Sequence, residues 1–119
     1  MTRRKRLSMD KVALGWAAAK AGDVADAERL YRAAIRDGDA YAYNNLAQLL
    51  IQDGRLSEGE ALFHAGVAAG DGLAAKNLAL FLLEEGKMGA ARKALTNARK
   101  MGNSPTDEEL AAARQYFSA

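Results

Sequence analysis

The chain of 119 residues has no cysteine, one histidine (His64) and one proline (Pro105), and only eight of its residues are Val, Ile or Thr. Without cysteine there is no disulfide framework, zinc ribbon or thiol nucleophile, and a lone histidine excludes a multi-histidine metal site. Scarcity of β-branched residues argues against a sheet, since strands draw on them. What is abundant is alanine, at 27 positions, the best helix former. The expectation is an all-α chain of one domain or a short repeat array.

Long apolar runs are also missing. The longest, such as Leu78–Leu83, covers about six residues, against roughly 20 needed to cross a bilayer. The basic start leads into Ser8-Met9-Asp10-Lys11 and not into an apolar stretch, so no signal peptide is expected and a cytoplasmic protein is the default. Four of the 17 basic residues sit together as Arg3-Arg4-Lys5-Arg6, leaving 13 against 15 acidic residues elsewhere. By charge balance the body is no nucleic-acid surface.

What is present is a period. Gly22, Gly54 and Gly86 are 32 residues apart, as are Gly38, Gly70 and Gly102. Leu14, Leu46 and Leu78 share the step, as do Gly15, Ala47 and Ala79, and Tyr31, Phe63 and Leu95. Three units follow: 8–39, 40–71 and 72–103. Each divides at its first glycine into two segments with helical apolar spacing, as in Tyr43, Leu46, Ala47 and Leu50. Glycine suits the ends of these segments because helices often close on a left-handed residue, and Asp23, Asp39 and Asp71 can then cap the next helix. Each unit is therefore read as a helical hairpin. A hairpin exposes apolar surface that only stacking can bury, so the three should share one core. Residues 1–7 are expected to be a disordered basic tail. Segment 104–119 is expected to cap the array with a helix over 105–118, Ser104 as its cap residue, Pro105 in its first turn and Leu110, Ala113, Tyr116 and Phe117 as its apolar stripe.

The units resemble the tetratricopeptide repeat and its Sel1-like relatives. The first reads Lys11-x2-Leu14-Gly15-x2-Ala18 then Ala27-x3-Tyr31; the second Tyr43-x2-Leu46-Ala47-x2-Leu50 then Gly59-x3-Phe63; the third Ala75-x2-Leu78-Ala79-x2-Leu82 then Ala91-x3-Leu95. The period is two residues shorter than the tetratricopeptide's 34, and Gly-Asp joints stand where its proline would be. The resemblance implies a right-handed α-solenoid of three helix-turn-helix repeats with a C-terminal capping helix. It also implies a non-enzymatic scaffold that takes a partner peptide or helix in a concave groove formed by the first helix of each hairpin.

Carried onto this sequence, that groove would be lined by Val12, Trp16, Ala19 and Lys20; by Tyr41, Asn44, Gln48, Ile51 and Gln52; and by Leu73, Lys76, Leu80, Leu83 and Glu84. The strongest candidates for partner contact are Trp16, Lys20, Tyr41, Asn44, Gln48, Lys76, Leu80 and Leu83. Trp16, the only tryptophan, is either a binding anchor or packed on the N-terminal segment. Lys20, Asn44 and Gln48 could hydrogen-bond a peptide backbone, and Leu80 with Leu83 could take an apolar side chain; the competing reading of such positions is an ordinary solvated helix face. Asn45 and Asn77 recur at the period and are expected to bond between adjacent helices. His64, one turn after Glu60, reads as a surface histidine. No catalytic constellation, cofactor site or metal-ligand set is expected. Two further readings stand beside the scaffold: self-association through a terminal repeat or an exchanged 105–118 helix, and accessory binding of nucleic acid or membrane by the basic tail.

Overall fold

The computed structural model describes the backbone of residues 2–118 and the side chains of residues 2–3 and 10–115. Seven helices follow in order: α1 (Arg3–Lys20), α2 (Val24–Arg36), α3 (Tyr41–Gln52), α4 (Leu56–Ala68), α5 (Gly72–Glu84), α6 (Met88–Lys100) and α7 (Asp107–Ser118). There is no strand among the described residues. The densest packing is within the pairs α1–α2, α3–α4 and α5–α6, with α2–α3 and α4–α5 joining one pair to the next. The result is a row of three antiparallel hairpins, closed by α7, measuring 43 × 30 × 22 Å.

The glycine period is a backbone requirement. All six glycines of the two series have positive φ, from 74° to 92°. Each follows a helix end, where a side chain would be strained, and the next residue donates its N–H back to the helix. Arg55 N bonds Leu50 O at 2.8 Å and Asp71 N bonds Gly66 O at 2.9 Å, which satisfies carbonyls that the helix itself leaves open. The aspartates then open the next helix: Asp23 accepts from Asp26 N at 3.2 Å, and Asp71 from Leu73 N at 3.0 Å. Asp39 accepts from Tyr41 N at 3.0 Å. Asp71 is only 4% exposed, and this burial pushes its carboxyl above the ordinary range.

Small residues set how closely the hairpins close. Gly15 lies against Tyr31, where an added Cβ would stand 2.7 Å from the ring. At Gly59 a Cβ would meet Ile51 of the partner helix at 2.5 Å, and at Gly66 it would meet Ala74 of the next hairpin at 2.8 Å. The core runs along the row in two buried clusters, one around Tyr31, Leu46 and Leu50 and one around Phe63, Leu78 and Leu82. Leu62 packs against both and joins them. Helix α5 is enclosed by α3, α4, α6 and α7, and accordingly buries seven of its 13 residues.

Neighbouring hairpins repeat the same polar joints. Arg55 bonds Glu28 of the preceding hairpin at 2.6 Å, and Lys87 bonds Glu60 at 3.1 Å; both pairs are 27 residues apart. Asn77 Nδ2 donates to Asn44 Oδ1 at 2.9 Å, and Lys76 pairs with Glu109 at 3.1 Å, each 33 residues apart. The last pair identifies the place of α7: it stands where the first helix of a fourth unit would stand. Leu110 continues the series Leu14, Leu46, Leu78 at the same step. Among the described residues α7 packs on α5 and not on α6, so it leans toward the first helices.

Two expectations about the ends change. Helix α1 starts at Arg3, inside the stretch expected as a disordered tail, because Arg, Lys and Leu are good helix formers and no breaker precedes the first repeat. Helix α7 starts at Asp107, and its cap is Thr106 in place of Ser104. Thr106 Oγ1 accepts from Glu109 N at 3.1 Å while Glu109 returns a carboxylate oxygen to Thr106 N at 2.9 Å. Pro105 precedes the helix and lies outside its first turn. Of the expected α7 stripe, Ala113 is buried and Leu110 packs on the core; Tyr116 and Phe117 lie outside the described side chains.

Candidate interaction site

The first helices α1 and α3 lie side by side with a cleft between them. Its apolar end, a cavity of about 480 Å³, is lined by Val12, Ala13, Trp16, Asp39, Tyr41 and Asn45. Its polar end, about 210 Å³, is lined by Trp16, Ala19, Lys20, Tyr31, Asn45, Gln48, Leu49 and Gln52. Trp16 and Asn45 border both. Helix phase explains the arrangement: Gly15 and Ala18 face the hairpin partner, so Trp16 and Lys20, one turn apart, point to the open side.

The aromatic groups in this cleft are available. Trp16 is 57% exposed and Tyr41 66% exposed, although large apolar side chains normally gain by burial. Lys20 Nζ lies 4.6 Å from the Trp16 ring centre, a cation–π contact that holds the ring in place and puts a positive charge at the polar end. The side-chain amides of Asn45, Gln48 and Gln52 have no hydrogen-bond partner among the described residues. Tyr31 forms the floor; it is 2% exposed and burial raises its phenol pKa.

Four of the eight candidates therefore share one cleft: Trp16, Lys20, Tyr41 and Gln48. The other four do other work. Asn44, expected on the groove wall, is 4% exposed and accepts the Asn77 amide, so it belongs to the joint between α3 and α5. Lys76 pairs with Glu109 of α7, whose carboxyl is held below its usual range first by the Thr106 N–H and then by Lys76. Leu83 is 6% exposed in the cluster that also holds Ala113, and Leu80 packs against that cluster. The apolar third-unit surface expected to receive a partner is taken up by the core and α7.

Asn45 is the residue that sequence reasoning misplaced. Its recurrence as Asn77 suggested an interhelix bond, but Asn77 bonds Asn44, and Asn45 faces the cleft. His64 is exposed beside Glu60, at 3.6 Å, as expected of a surface residue. No group of three His, Cys, Asp or Glu side chains among the described residues is placed to hold a metal ion, and no helix is long and apolar enough to cross a membrane. Comparison with protein-family models and with curated proteins gave no match for this chain.

Proposed function

We propose that the chain is a tetratricopeptide/Sel1-like repeat array, wound as a right-handed solenoid, that acts as a non-enzymatic cytoplasmic scaffold. Its partner is a peptide or helix of another protein, received along the concave side of the first helices at the α1–α3 cleft. The observation that carries this reading is the convergence of two exposed aromatics with three unpartnered amides. Trp16 and Tyr41 provide apolar area with few rotatable bonds, the usual make-up of a binding anchor. Asn45, Gln48 and Gln52 each offer a donor and an acceptor, which matches the alternation of N–H and C=O along a peptide backbone. The two ends of the cleft distinguish its parts: an apolar side chain fits beside Val12 and Tyr41, and a carboxylate suits the end at Lys20.

The test uses Trp16→Ala and Tyr41→Ala. Because both side chains are mostly exposed, each variant should keep its helical content and melting temperature within a few degrees while binding of proteins captured from the native host falls about tenfold or more. Trp16, the single tryptophan, reports binding directly by its fluorescence. Undiminished capture by the double variant would discard the cleft as the binding site.

A further inference from the structure

The leucine series contains one exception. Leu46 is fully buried and Leu78 is 4% exposed, yet Leu14, at the same register, is 59% exposed. Its neighbours behave likewise. Asp10 and Ala17 correspond to Ala42 and Leu49 and to Ala74 and Phe81, all of them buried, but in α1 both are exposed. In α3 and α5 this face rests on the hairpin before it; in α1 it is bare. Leu14 with Ala13 and Ala17 thus forms an apolar helix face built to the pattern of a packed one.

We propose that this face is covered by the same face of a second copy, with the two α1 helices antiparallel about a twofold axis at Leu14. Head-to-tail stacking is disfavoured by the other end of the row, where α7 presents Asp107, Glu108, Arg114 and Gln115 to solvent in place of an apolar surface. A twofold arrangement brings Leu14 against its own copy, and the flanking alanines allow close approach. It is also complementary in charge. Helix α1 opens on Arg3–Arg6 with no acid in its first turn, against the preference of a helix N-terminus for negative charge. Lys5 lies nine residues before Leu14 and Asp23 nine after, so the antiparallel pair sets each basic run level with the partner's acidic turn at Asp23. This inference does not depend on the cleft, which opens on a different face of α1.

Sedimentation of the full chain, from low to high micromolar concentration and at low and high salt, tests it. A dimer that weakens with salt is expected, and Leu14→Arg should raise its dissociation constant about tenfold or more while leaving the melting curve of the protomer unchanged. Because the chain has no cysteine, Leu14→Cys supplies a second, geometric test. The twofold arrangement predicts a disulfide-linked dimer on mild oxidation. A monomer at every concentration would overturn the proposal. So would larger oligomers in which position 14 does not crosslink, since they would mean that the ends join in another way.

Discussion

Gly59 sits inside α4, where alanine should be better by about 1 kcal/mol if helix propensity alone decided. The structure argues for the opposite sign. A Cβ at Gly59 would lie 2.5 Å from Ile51 Cγ1 and 3.0 Å from the Ala47 carbonyl oxygen. Carbon atoms in contact prefer a separation of about 3.5–4.0 Å, so α3 and α4 must move apart by roughly an ångström or Ile51 must leave its rotamer. Overpacking of this kind costs about 1–3 kcal/mol, which outweighs the propensity gain. Gly59→Ala is therefore expected to destabilise by about 1 kcal/mol and lower the melting temperature by about 4 °C. Gly89 in α6 provides the contrast, because nothing lies within 4 Å of its would-be Cβ. There Gly→Ala should stabilise, by some tenths up to about 1 kcal/mol. Thermal and urea unfolding followed by circular dichroism measure both. If Gly59→Ala stabilises as much as Gly89→Ala, the close-contact account of the α3–α4 hairpin is wrong.

Asn77→Ala removes the partner of the buried Asn44 amide, and leaving that group unsatisfied should cost about 1–3 kcal/mol in urea unfolding. A neutral result would mean that Asn44 readily finds another partner. Arg55 holds the carboxyls of Glu28 and Glu58 below their ordinary range, chiefly through its hydrogen bonds. A depressed carboxyl adds stability above its unfolded pKa, and this is lost as pH falls through the folded value. Arg55→Ala should thus destabilise at neutral pH, with its deficit shrinking below about pH 4. A deficit that does not change with pH would mean that packing of the arginine stem, and not its charge, matters.

The parts of the fold that were legible in the sequence are those fixed locally. The left-handed helix ends demand glycine wherever they occur, so two glycine series locate six helix ends with no knowledge of tertiary structure. Exposure of Trp16, Lys20, Tyr41 and Gln48 follows from helix phase relative to the small residues at 15 and 47. Asn44 was misread because the bond that buries it joins positions 33 apart, and a search for a 32-residue period is blind to contacts one step out of register. Lys76, Leu80 and Leu83 were misread for a longer-range reason. Their surroundings depend on where α7 comes to rest, which no feature of α5 encodes. The Thr106-x2-Glu109 box, in contrast, was legible as a helix start and more specific than Ser104.

The recurrence of the joints, one ion pair 27 residues apart and one polar pair 33 apart, has a bearing on length. Every connection between hairpins is made by residues of the two units that meet, so a unit carries its own fittings for the neighbour on either side. Duplicating residues 40–71 in tandem would reproduce Glu60 as the acceptor for a second Arg55, at a boundary that already exists in kind. The row would lengthen by about the width of one packed helix layer, 8–10 Å, with α1 and α7 still closing its ends. Such a chain gains a second cleft between first helices without any contact having to be invented, and its size becomes a matter of how many times one segment is copied.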